Sequence, residues 1–162
     1  MVLLVAIRLS LLDFCIPCKA KCCRPSSYSA SPMLSAKEVE RIESFFKKKF
    51  GNVSGAFKEV NAGSESYFVF AERKSNRCFF LGPDNKCVIQ DVKPLDCVAY
   101  PVRAVYSECN NVEFIIDSSC PASVGLSEGF VKEAKSLALR SLKRFSRKAY
   151  LHWFDNYLVS KK

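Results

Sequence analysis

The sequence predicts a small α+β domain, and three observations carry that prediction. A capped run of helical periodicity stands at about 36–50, and a proline-free amphipathic stretch fills about 127–160. Between them the pattern turns short, β-like and broken by turn residues. The 162 residues suit a single domain spanning 1–162, and a 49% hydrophobic composition with thirteen Phe supplies a core without cross-links. Nine cysteines are too few for a disulfide scaffold, which reaches about 8–10% of a chain, and an odd count forbids complete internal pairing.

The elements follow in chain order. Met1–Phe14 is apolar, but no basic residue precedes the run, Arg8 interrupts it and no small-residue cleavage site follows. It is also shorter than the roughly 20 residues that span a bilayer, so it reads as a strand or short helix covering the core. Bulky Asp13 and Phe14 argue against a lipid anchor on Cys15. With no export signal read there, a cytoplasmic location and no membrane partner are expected. A dense cysteine segment, Cys15 to Cys23, leads into a Ser/Pro-rich loop through Pro32. Ser35-Ala36-Lys37-Glu38 forms a capping box, after which Val39, Ile42, Phe45 and Phe46 recur at helical spacing until Gly51. Tyr67–Glu72 reads as a strand and Gly82-Pro83-Asp84-Asn85 as a turn. Val102–Tyr106 is expected to pair with Val112–Asp117 across Asn110-Asn111. In the last block Phe130, Ala134, Leu137, Ala138, Leu142, Phe145, Ala149, Trp153, Phe154 and Leu158 keep helical periodicity, as one long helix or two joined by a kink. No internal repeat or low-complexity linker divides the chain.

The chemistry points to sulfur. One histidine, His152, nearly excludes a histidine-rich metal site or a His-dependent catalytic apparatus, and it reads as a surface or packing residue. Cys15 and Cys18 have metal-ligand spacing, because a tight turn brings both sulfurs onto one ion. Adjacent Cys22 and Cys23 diverge too much to face the same ion easily, so they serve two metals or one supports the other. Cys78, Cys87, Cys97, Cys109 and Cys120 are dispersed over different turns and strands. A metal joining them would pin the irregular middle and contribute directly to folding free energy.

Read together, Cys22-Cys23-Arg24, Cys78-Phe79-Phe80-Leu81, Cys87-Val88-Ile89, Lys93-Pro94-Leu95-Asp96-Cys97, Tyr100-Pro101 and Cys120-Pro121 form a recognisable series. In order and flanking residues it resembles the zinc- or iron-chelating cysteine-cluster family (YkgJ-like, the CxxCxxCC domain), kin of the flagellin lysine N-methylases. The resemblance covers about residues 12–123. It implies that the metal-linked cysteines are Cys15, Cys18, Cys22, Cys23, Cys78, Cys87, Cys97 and Cys120, holding zinc or an iron–sulfur cluster. Three residues rather than two separate Cys18 from Cys22, Lys93 stands for the usual Arg, and Val98 replaces a common basic residue. Cys109 lies outside the pattern, in the expected hairpin turn, and reads as a thiol that is not a ligand. The kinship would suggest S-adenosylmethionine, but the chain has no phosphate-binding glycine loop, nucleotide fingerprint or nucleophile–base pair to support it.

Eight thiolates suit two tetrahedral zinc ions or an iron–sulfur cluster with spare thiols. The formal charge is +9, and it counts every cysteine as neutral. Two four-thiolate zinc sites would leave roughly +5, and one four-cysteine [4Fe–4S] cluster roughly +7. Lys19, Lys21, Arg24 and Lys93 are the nearest compensating cations in sequence. The terminal region carries Lys132, Lys135, Arg140, Lys143, Arg144, Arg147 and Lys148 against Glu133. That is the footprint of a nucleic-acid or acidic protein partner, or the solvated face of an amphipathic helix. A redox partner is expected if the metal is an iron–sulfur cluster.

Overall fold

A computed structural model describes residues 16, 18–24, 31–71, 77–107 and 109–159 of the chain. Met1–Phe14 and Cys15 lie outside the described residues, as does Glu72 of the expected strand. What is described is an α+β arrangement of helices and two small antiparallel sheets.

Helix α1, Ala36–Phe50, has the expected bounds. Its start is fixed by Glu38, whose carboxylate accepts the Ser35 N–H at 3.0 Å, and its end by Gly51 at φ +88°. Val39 and Ile42 are buried on the inner face, and Lys47, Lys48 and Lys49 complement the C-terminal end of the dipole. Strands β1, Phe57–Ala62, and β2, Glu65–Phe70, form a hairpin with Ala62 opposite Glu65. Gly63, at φ +79°, gives the two-residue connection the positive dihedral it needs.

Two features of the middle were not visible as periodicity. One is β1 itself. The other is α2, Leu95–Ala99, a single turn and a half that begins after Pro94. The second hairpin pairs β3, Val102–Tyr106, with β4, Val112–Ile116, as expected, Val102 standing opposite Ile116 and Tyr106 opposite Val112, across a turn in which Asn110 sits at φ +64°.

The terminal stretch is two helices, the second of the two expected forms. Helix α3 runs Glu128–Leu142 and α4 runs Arg147–Trp153, continuing as wider π-helical turns over Phe154–Val159. Ser127 and Ser146 each cap a start, accepting from the N–H of Phe130 and Ala149. The polar cap at Ser146 restarts the helix after residues 143–146 break it.

Packing follows the apolar faces. Tyr67 and Val69 of β2, Val98 and Ala99 of α2, Ala104 of β3, Leu137, Ala138 and Leu142 of α3 and Tyr150 and Trp153 of α4 share one cluster. Leu34, Val39, Ile42, Phe70, Phe80 and Ile89 make a second around α1, rich in edge-to-face Phe contacts. Phe70 of β2 belongs to the second and Val69 to the first, so alternate faces of one strand feed both clusters.

Candidate metal centre

The first cysteine segment is a tight coil. Lys19 and Ala20 adopt left-handed backbone at φ +56° and +50°, and a 3-10 turn follows over Lys21–Cys23. Left-handed Lys and Ala cost roughly 1–2 kcal/mol each, so tertiary contacts must hold this coil. Two are evident. The Cys78 N–H donates to the Cys23 carbonyl at 2.7 Å, and Arg24 reaches from the Lys19 carbonyl to the side-chain oxygen of Asn85. Asn85 belongs to the Gly82–Asn85 turn, which sits at the tip of a loop closed by a bridge between Leu81 and Cys87. Arg24 thereby ties the first cysteine segment to the loop carrying Cys78 and Cys87.

Cys97 is presented by α2, and α2 is held by two carboxylates, one buried and one half-buried. Glu38, 3% exposed, accepts the Leu95 N–H at 3.0 Å and pairs with Arg144. Asp96 accepts from the Met33 N–H at 3.0 Å and from the Ser141 hydroxyl. Burial raises the Asp96 carboxyl above its usual range, against the bonds from Ser141 and Met33 and the charges of Arg103 and Arg144. Cys120 caps the 3-10 turn Pro121–Gly125, its N–H bonded to the Asp117 carbonyl at 3.2 Å. Asp117 also receives the Tyr100 hydroxyl at 3.1 Å.

Cys22, Cys23, Cys78, Cys87 and Cys97 line one cavity of about 110 Å³, with Lys93 and Asp96 and with Tyr150 and Trp153 of the helical core. Burial pushes the Cys97 thiol well up, and the thiols of Cys78 and Cys87 add to the rise. The neighbouring Cys23 thiol, by hydrogen bond, and then burial hold Cys22 well above the usual thiol range. Burial raises Cys120, with Cys22 and Cys18 contributing. Lys93 opposes the rise at both Cys22 and Cys97, the compensating role its position in the sequence suggested. The thiols therefore stand in two neighbouring sets: Cys18, Cys22, Cys23 and Cys120, and Cys78, Cys87 and Cys97.

The structure thus brings seven of the eight expected ligands into these neighbouring groups, and the eighth, Cys15, is not among the described residues. No disulfide joins any two described cysteines. Among the described residues no three Cys, His, Asp or Glu stand close enough to hold one ion as placed. The donor chemistry fits a thiophilic metal, and the packing of the described thiols does not by itself close a coordination sphere. Cys109 is exposed in the β3–β4 turn, apart from both sets. His152 bonds Tyr67 at 3.0 Å and meets its ring edge-on, and it does not line the thiol cavity.

Asp96, Glu38 and Arg144 carry the support of the site and were not singled out as such by the sequence. Arg144 stood there among surface cations, yet it turns inward to Glu38 and Ser141. Its one sequence signal is position: it falls where the helix breaks. No helix among the described residues is long and apolar enough to cross a membrane. No protein-family model, no curated protein and no solved structure matches the chain.

Proposed function

We propose that the chain is a metal-binding cysteine-cluster protein, its thiolates holding zinc or an iron–sulfur cluster, as the resemblance to the YkgJ-like family implies. The observation that carries this reading is the shared cavity. Five cysteines from four separated segments line it, and a buried network aims α2, the element bearing Cys97, at the same place. Thiol clusters of this kind bind metal more often than they form disulfides in a reducing cytoplasm, where we place the protein. Cys18, Cys22, Cys23, Cys78, Cys87, Cys97 and Cys120 would hold the metal, with Cys15 completing the set. A closed four-thiolate zinc site would be structural, whereas an iron–sulfur cluster would carry electrons and make the protein a redox component. Lys93 would offset part of the thiolate charge.

Elemental analysis and the visible spectrum of anaerobically purified protein test the reading. About two zinc per chain and no colour would select the zinc form, since eight thiolates serve two tetrahedral ions. A brown protein with iron and acid-labile sulfide would select the cluster. Protein with neither metal, and with thiols that titrate no metal, would refute both.

A second reading, an interaction module for nucleic acid or an acidic protein, has one observation in its favour. Lys132, Lys135, Arg140, Lys143, Arg147 and Lys148 are exposed on α3, α4 and the link between them, and none makes an ion pair among the described residues. Binding to oligonucleotides whose affinity falls linearly on a log–log salt plot would support it. No binding at low salt would end it.

A further inference from the structure

The β3–β4 sheet has two strands, and among the described residues no backbone bond reaches the outer edge of β4. Which of its groups face that edge follows from the ladder. The Asp117 N–H donates to Pro101 at 2.9 Å, and the Ser107 N–H donates to Asn111 at 2.8 Å. Both bonds engage odd-numbered residues of the β4 arm. Antiparallel ladders alternate inward and outward pairs, so Glu113 and Ile115 turn their backbone groups to β3, and Val112, Phe114 and Ile116 turn theirs outward. Phe114, Ile115 and Ile116 are 37, 43 and 44% exposed, an apolar run on an open edge. Natural proteins normally blunt such an edge with charge, proline or a covering element.

Charge borders this edge on one side. Phe114 and Ile116 share a sheet face with Ala104 and Val102, the face on which α3 packs. From α3, Lys135 Nζ lies 5.5 Å from the centre of the Phe114 ring, and Lys132 stands one turn before it. Neither lysine has an acidic partner among the described residues.

We propose that β4 accepts an extended segment of a partner protein as a third strand, with acidic side chains at alternate positions meeting Lys132 and Lys135. Main-chain bonds to Val112, Phe114 and Ile116 would supply affinity, and the lysines the choice of sequence. A nucleic acid could use the lysines but has no use for the strand edge. A second copy of the chain, paired through β4, would bring two such lysine sets to the same side of the joined sheet, where they repel.

The test is fluorescence anisotropy of the full chain with short labelled peptides. The probes are alternating Glu/Val, alternating Lys/Val, and the Glu/Val peptide N-methylated at alternate residues, with oligothymidylate beside them. The Glu/Val peptide should bind, the Lys/Val peptide should not, and N-methylation should weaken binding about tenfold or more. Ile116→Pro, which removes an outward donor at an edge where proline is tolerated, should match that loss, while Ile116→Val should not. Lys132→Glu with Lys135→Glu should abolish the preference for acidic peptide. Equal binding of the N-methylated peptide to the unaltered chain overturns the proposal without relying on any variant. Binding of oligothymidylate alone, or a concentration-dependent dimer that excludes the peptide, overturns it as well.

Discussion

Replacing Glu38 by Ala should loosen α2, and with it the seat of Cys97, although Glu38 lies on a different helix. Three losses combine. The contact that starts α1 is worth about 1 kcal/mol, and the Leu95 N–H left without an acceptor costs roughly 1–3 kcal/mol. Arg144 loses its ion pair but is 24% exposed along its side chain, so water recovers part and the remaining cost is about 1 kcal/mol. The sum, roughly 3–5 kcal/mol, is a large share of the ~5–15 kcal/mol that stabilises a domain. In urea it should lower the midpoint by about 1–5 M at the slope expected for a small protein. Glu38→Gln, which keeps an acceptor for Leu95, should cost about half as much. The Cys97 thiol should alkylate faster in Glu38→Ala below its melting range, because the helix that buries it has lost its tether. An unfolding free energy within about 1 kcal/mol of the parent, or no coupling in a double-mutant cycle with Arg144→Ala, would refute the tethering argument.

Cys87→Ser should reduce metal content and lower the melting temperature of the loaded protein, whereas Cys109→Ser, in an exposed turn, should leave both unchanged; equal effects would remove the distinction between the two. Metal affinity should rise with pH, because binding expels protons held on Cys22 by its contact with Cys23 and by burial, and on Cys97 and Cys120 by burial; a chelator competition giving a flat profile would contradict this. In the metal-free chain the raised thiols favour the folded state at lower pH. That contribution is full below the unfolded thiol value near 9 and is lost as pH climbs through the folded values, so urea midpoints should fall on the alkaline side. Tyr67→Phe removes the bond to His152 and should cost about 0.5–1.5 kcal/mol with metal content unaltered.

The parts legible in the sequence are those settled by near neighbours. Ser35 and Glu38 mark the start of α1 and Gly51 its end, so its bounds match to the residue. Val102–Tyr106 and Val112 onward declare a hairpin through alternation and the Asn110 turn. Strand β1 was hidden because its burial does not alternate: Phe57 and Val60 are half-buried with two exposed residues between them. Helix α2 is too short to show a period. The break near Ser146 was masked by Phe145 and Ala149, which keep the apolar rhythm of the flanking helices. The cysteines announced themselves by clustering and order, but their support did not. That Glu38 would reach Leu95, or Asp96 find Ser141, depends on which helices meet, and a single sequence does not encode that in any short window.

The bond between Cys78 and Cys23 bears on the order of events in folding. The loop it closes contains all of α1 and the β1–β2 hairpin, elements held by contacts close in sequence. Such elements form early, while the closure of a long loop waits until its contents have shortened the distance to be spanned. On this argument the thiol cavity is expected to be the last-assembled part of its half of the molecule, with the contributors from residues 78, 87 and 97 meeting the first segment after the scaffold between them has formed. A metal arriving from solution would then meet a nearly finished fold rather than a bare chain, and its loss would undo the newest contacts first.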